Sequence, residues 1–141
     1  MKNDDTSVFK DFAHSPSKLE ATIRAVREQF PDRKLVACME LHTYSSLSKN
    51  FLCHYQGSMD LADEPIVYFN PHAIQIKKLP SISKKDIMEG FSNKNLEIFN
   101  DSMLLYDRLT TGNWKNKNLL MMSSGDFDGM DLGGLAEKIL I

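Results

Sequence analysis

The chain has 141 residues, 42% of them apolar and 26% charged, with a formal net charge of −2. That length suits one domain with a sizeable core, and that charge offers no electrostatic footprint for nucleic acid; Lys77-Lys78 and Lys84-Lys85 are only pairs and read as solvated surface. No apolar stretch approaches the ~20 residues that span a bilayer, Met1-Lys2-Asn3-Asp4-Asp5 lacks the apolar core of a signal peptide, and Cys38 and Cys53 have no zinc or redox spacing, so the expectation is a cytoplasmic domain with reduced thiols and no membrane or metal partner.

Thr6 to Phe12 (TSVFKDF) reads as a first strand. Ser15-Pro16 then marks a helix start, with Ser as N-cap and Pro at the first helical position. Leu19, Ile23, Val26 and Phe30 follow at three- and four-residue spacing and form one apolar face. Lys34 to Leu41 (KLVACMEL) is a near-continuous apolar run, as a strand buried on both faces requires. The polar stretch His42 to Ser48 leads to a second helix near Lys49 to Gln56. Glu64 to Phe69 is a third strand, and Pro71 to Leu79 reads as a short extended piece of ambiguous type. Ser83 caps a short helix to Gly90, Leu96 to Phe99 is a fourth strand, and Asp101 caps a helix to about Thr110. Asn118 to Met122 is a fifth strand, Ser123 to Met130 a glycine-containing loop, and Leu132 to Leu140 the last helix.

Five strands alternating with five helices predict an α/β domain of three layers, Rossmann-like, with a mostly parallel sheet covered on both faces. In such sheets ligands sit at the carboxyl ends of strands. That rule points to Asp11–Ser17, His42–Ser46, Phe69–His72 and Ser123–Gly129, where the polar and titratable residues also collect. Asp11 and His14 lie where a strand turns into a helix, a place that suits an anionic ligand or a sugar hydroxyl; a plain turn with a solvated imidazole fits the same residues. The run Glu40-Leu41-His42-Thr43-Tyr44-Ser45-Ser46 offers donors and acceptors directly after a buried strand, as would an ordinary βα loop. Familiar catalytic signatures are absent: no GxxxxGK(S/T), GxGxxG, GxSxG or HExxH occurs, the Asp spacing near Asp126 is not that of an EF-hand, and His14, His42, His54 and His72 have no short metal-ligand spacing. Phe69-Asn70 and Met122-Ser123 also lack the aspartate and lysine that a response regulator needs at the ends of its third and fifth strands.

Asp11-Phe12-Ala13-His14-Ser15-Pro16 resembles the Asp–(Tyr/Phe/Gly)–(Ala/Gly)–His–x–Pro signature that opens the third domain of the Mur ligases and their folate-synthetase relatives. Lys18-Leu19-Glu20-Ala21-Thr22 continues it, and Phe30 to Ala37 resembles the next helix-to-strand passage. Glu40 to Ser45 is similar to the QPHRYSR loop of the alanine-adding members. Met121 to Gly129 is similar to the MSNGGFGG end of the peptide-adding members. The resemblance runs through nearly the whole chain in the right order.

It implies a lid domain of an ATP-dependent ligase whose UDP-sugar and ATPase domains lie outside this chain. In that family a muramyl carboxylate is activated as an acyl phosphate and attacked by an amine, with ATP and Mg2+ held mainly by the central ATPase domain, the partner of the lid. UDP-N-acetylmuramate and a peptide would be the substrates. By resemblance Asp11 would reach the ATP ribose, and His14 and Ser15 would face the peptide or the acyl phosphate. His42, Thr43 and Tyr44 would line the peptide pocket, and Ser123, Ser124 and Phe127 would hold its carboxylates or backbone. No catalytic residue is expected in this segment alone. Lys10, Ser15, Thr43 and Ser46 depart from the pattern: they stand where an Asp, a His and two arginines are usual. The missing arginines disfavour L-alanine alone and favour the tripeptide L-Ala-γ-D-Glu-meso-diaminopimelate. An alanine-adding domain, a folate or cyanophycin-type ligase domain and a non-catalytic α/β binding module are the alternatives.

Overall fold

The computed structural model describes residues 1–141. Its strands are β1 (Val8–Asp11), β2 (Lys34–Leu41), β3 (Glu64–Phe69), β4 (Glu97–Phe99) and β5 (Lys117–Met122). They form one sheet in the order β1-β5-β2-β3-β4, and every neighbouring pair is parallel. The helices are α1 (Pro16–Gln29), α2 (Pro71–Ile76), α3 (Lys84–Phe91), α4 (Ser102–Thr110) and α5 (Leu132–Ile139), with a 3₁₀ segment at Lys49–Tyr55. The expected three-layer α/β architecture is the observed one.

Side chains alternate across the sheet with period two. Leu35, Ala37, Met39 and Leu41 of β2 join Leu120 and Met122 of β5 in one core, against Leu19 and Ile23 of α1 and Ile87 and Phe91 of α3. Val36 and Cys38 join Leu119 and Met121 in the second core, against Leu105 and Leu109 of α4 and Leu135 and Ile139 of α5. The chain moves one way across the sheet from β1 to β4, then doubles back to β5. Right-handed crossovers therefore place α1 to α3 on one face and α4 on the other, where α5, after the last strand, packs beside α4.

Three local expectations change. Pro71–Leu79 does not extend: Asn70 accepts from the His72 N–H at 2.9 Å and Pro71 fills the first helical position, so α2 forms by the logic of Ser15-Pro16. The helix near Lys49 is 3₁₀, which puts Leu52 and Tyr55, three residues apart, together in the core. The first strand begins at Val8 rather than Thr6: the Thr6 hydroxyl donates to the Trp114 carbonyl, and the Ser7 N–H donates to the Asn118 side chain of β5 rather than to a backbone carbonyl. Ser83 and Asp86 form the capping box that starts α3.

At the amino ends of the strands Arg108 grips both oxygens of Glu97, at 3.0 and 2.7 Å, and one of Glu64 at 2.8 Å; Lys117 takes the other Glu64 oxygen at 2.9 Å. Burial would raise the Glu64 carboxyl, but the bonds from Lys117 and Arg108 outweigh it and hold it below the usual range. Arg108→Ala is expected to cost about 1–3 kcal/mol, between exposed and buried ion pairs. A group with a lowered folded-state value stabilises above its unfolded value and loses that contribution as pH falls through the folded one. The gap between wild type and Arg108→Ala in thermal melts should therefore be full at neutral pH and shrink in acid. Gly90 is the contact between α3 and the 3₁₀ segment: a Cβ there would sit 2.7 Å from the Leu52 carbonyl oxygen. Gly90→Ala should lower the urea midpoint, since overpacking of about 1–3 kcal/mol exceeds the ~1 kcal/mol helix gain.

Candidate functional site

β5 lies between β1 and β2, yet its following loop turns to the face of α4 and α5 while theirs turn to the face of α1. Open α/β sheets bind ligands at such a reversal, outside the carboxyl ends of the strands. Three of the four predicted loops meet there. The Ser123 N–H donates to the Asp11 carbonyl at 3.1 Å, joining the β5 and β1 loops. The Ser123 hydroxyl donates to Glu40 Oε1 at 2.7 Å, joining the β5 loop to β2.

Glu40 is the hub. It is 2% exposed and sits one step past the Met39–Met122 pair, level with Tyr68 of β3. Its Oε1 accepts from Ser123 and from the Phe127 N–H at 2.9 Å. Its Oε2 lies 3.9 Å from Nδ1 of His42. The His42 ring rests on Gly125, where a Cβ would come within 2.9 Å of ring Cδ2 and Nε2. The Gly125 N–H in turn donates to the Ser123 hydroxyl at 2.8 Å. Beside this cluster the Tyr68 hydroxyl donates to Asp128; burial and then the Asp128 carboxylate raise the phenol well above its ordinary value, so it stays a donor.

The β1 loop is built separately. Asp11 Oδ1 accepts from the Ala13 N–H at 2.7 Å, which leaves Oδ2 for an outside donor. His14 Nδ1 is 2.9 Å from the Phe12 carbonyl, and the Tyr55 hydroxyl donates to the His14 carbonyl at 2.7 Å. Burial pushes the Tyr55 phenol up to about 12, which keeps that donor in place at any ordinary pH. Ser15 caps α1 without a side-chain hydrogen bond.

The structure thus brings Asp11, His14, Ser15, His42, Tyr44 and Ser124 to one rim, with Phe12 and Tyr44 strongly exposed there. Other named residues are already engaged. The Thr43 hydroxyl is tied to Ser46 in a turn, with Oγ–Oγ 3.0 Å. The Ser123 hydroxyl is buried between Glu40 and Gly125. The Phe127 side chain is buried in the second core at φ 54°, so its backbone N–H is what serves the rim. Sequence reasoning placed Glu40 and Gly125 within its polar runs without giving them a role in the site, and it passed over Tyr55 and Tyr68. Glu40 carried a signal as an acid at an otherwise apolar position of a buried strand, and Gly125 as a glycine that permits close approach. The fourth predicted loop, Phe69 to His72, forms the start of α2 instead, with His72 exposed.

No family model matches the chain. The UDP-N-acetylmuramate–L-alanine ligase of Lactobacillus helveticus is 31% identical over 128 residues, covering 86% of this chain and 26% of the relative. A murein peptide ligase of Psychrobacter arcticus superposes with a TM-score of 0.72 at 21% identity, over 98% of this chain and 28% of that one. A domain assigned to a UDP-N-acetylmuramate:L-alanyl-γ-D-glutamyl-meso-diaminopimelate ligase of Haemophilus ducreyi gives 0.58 at 23% identity, over 96% and 89%. The chain fits a Mur ligase C-terminal domain. It spans about a quarter or less of the length of the curated relatives it matches. The Mur signature residues Asp11 to Pro16 make the β1–α1 turn of this domain, and the Glu40 to Ser45 segment makes its β2 rim.

Gly125→Ala should push the His42 ring off the β5 loop while leaving the fold intact, because residue 125 needs no left-handed backbone. Amide correlation spectra should show shifts confined to residues 40–46 and 123–128. Shifts spread through both cores would refute this packing.

Proposed function

We propose that this chain is the C-terminal, acceptor-binding domain of an ATP-dependent ligase that joins UDP-N-acetylmuramate to the tripeptide L-Ala-γ-D-Glu-meso-diaminopimelate in cytoplasmic peptidoglycan recycling. The observation that carries the reading is the convergence of the β1, β2 and β5 loops on one open rim, with Asp11, His42 and Ser124 reachable on it. An open rim is half of a site: a neighbouring ATPase domain supplies the other half and closure excludes water.

ATP, when bound in that central domain, supplies the phosphoryl group that activates the muramyl carboxylate. Asp11 fits a part of it, because the free Oδ2 can accept from a ribose hydroxyl. Mg2+ would be held with the ATP phosphates, mainly by the central domain. His42, Tyr44 and Ser124 orient the acceptor, while Thr43 and Ser46, bonded to each other, offer no cation to the carboxylate of a lone amino acid. That favours a larger acceptor. The L. helveticus relative, named for L-alanine, supports the second reading, an L-alanine acceptor.

Assay of the full-length ligase against both acceptors side by side decides: the expected outcome is a clear kcat/KM preference for the tripeptide, and a preference for L-alanine selects the second reading. Asp11→Ala should raise the ATP KM roughly tenfold or more, the worth of a charged hydrogen bond, with little change in peptide KM; the reverse pattern removes the role given to Asp11. His42→Ala should weaken tripeptide use. The 141-residue chain alone should neither hydrolyse ATP nor form amide bonds.

A further inference from the structure

We infer that Glu40 is a positioning residue that holds the His42 imidazole with its proton on Nδ1, and so turns the Nε2 lone pair to the rim for an N–H donor of the bound acceptor. The inference rests on the acceptor reading of the rim for the identity of the ligand. The Glu40–His42 couple itself rests on geometry.

Glu40 is a buried carboxylate with no lysine or arginine nitrogen within 4.0 Å of it. Its two oxygens have different work. Oε1 is filled by two donors, the Ser123 hydroxyl and the Phe127 N–H. Oε2 faces one polar atom of another side chain, Nδ1 of His42 at 3.9 Å. That is longer than a hydrogen bond, yet near enough for the carboxylate to decide which ring nitrogen holds the proton. The Nε2–H tautomer would aim the Nδ1 lone pair at a carboxylate, two acceptors face to face. The Nδ1–H tautomer aims a donor there instead. Gly125 holds the ring in register, since a Cβ there would meet Cγ, Cδ2 and Nε2 at 2.9–3.0 Å, which puts the face of the ring rather than its Nε2 edge against the β5 loop.

The consequence is chemical. A neutral imidazole so oriented presents an acceptor at Nε2, which suits an ammonium or amine N–H. It does not suit a carboxylate. His42 would thus meet the amino end of the acceptor, and Ser124 and backbone N–H groups would be left for its carboxylates.

Long-range proton–nitrogen correlation on the 141-residue chain at pH 8, where an ordinary imidazole is neutral, reads the tautomer directly. His42→Asn identifies the signals among the four histidines. Wild type should show His42 at least tenfold in favour of Nδ1–H. In Glu40→Gln the side-chain carbonyl still serves Ser123 and Phe127 while the NH₂ faces the ring, so the preference should move tenfold or more toward Nε2–H. A wild-type His42 that is mainly Nε2–H overturns the inference, as does an unchanged ratio in Glu40→Gln. Should that variant fail to fold, Gly125→Ala takes its place: moving the ring off the loop should erode the preference, and an unchanged ratio overturns the inference. None of these readings involves substrate. A failed acceptor assay would therefore count against the proposed function and not against the Glu40–His42 couple.

Discussion

The parallel insertion of β5 between β1 and β2 is the constraint from which the rim follows. Lys10 and Asp11 pair with Met121 and Met122, and Cys38 and Met39 pair with the same two residues from the other side. Because all three strands run the same way, their carboxyl ends lie at one edge, and the loops leaving them must meet. The loop after β5 turns to the opposite face from its neighbours, which opens the crevice between them. Three segments more than 20 residues apart in sequence are thus held within hydrogen-bond distance by the ladder, and Ser123 bonds to Asp11 on one side and Glu40 on the other.

Within that frame one buried charge sets local order. An isolated carboxylate in a dry interior costs several kcal/mol, so Glu40 survives only with partners. It takes a hydroxyl and a backbone N–H from the β5 loop, and no buried side-chain nitrogen or oxygen in the protein is left without a hydrogen-bond partner. The same bonds bind the β5 loop to the β2 strand and account for the left-handed backbone at Phe127 and Asp128, where the loop turns its N–H inward. The cost of burying Glu40 is thereby offset by the loop geometry it organises.

The two ends of the sheet divide the work. The amino ends carry the Arg108, Glu64, Glu97 and Lys117 cluster, which is satisfied internally, and a cavity of about 500 Å³ lined by Thr6, Trp114, Lys115 and Lys138. The carboxyl ends carry exposed aromatics and polar groups. Volume does not mark the candidate site; strand polarity does. Phe12 and Tyr44 stand exposed where the proposed neighbouring domain would cover them.

Much was legible in the sequence. Strands β2 and β3 were readable to their ends because a doubly buried strand must be apolar at successive positions, as Leu35 to Met39 and Ile66 to Phe69 are. α1 was readable from Leu19 and Ile23 because burial on one face imposes a 3.6-residue period. α2 was missed although Asn70-Pro71 shows the same pattern of a cap residue followed by proline as Ser15-Pro16, because six residues are too few to show a period. Local pattern therefore determined the elements, their order and the polar character of the loops. Which hydroxyls remain free for a ligand was decided only in the fold. Thr43 and Ser123 look as available as Ser124 in sequence, but the first is spent in its own turn and the second on Glu40, whose partners lie 83 and 87 residues away. Periodicity records burial relative to neighbours along the chain; hydrogen-bond partners across the sheet are chosen by register, which no single segment contains.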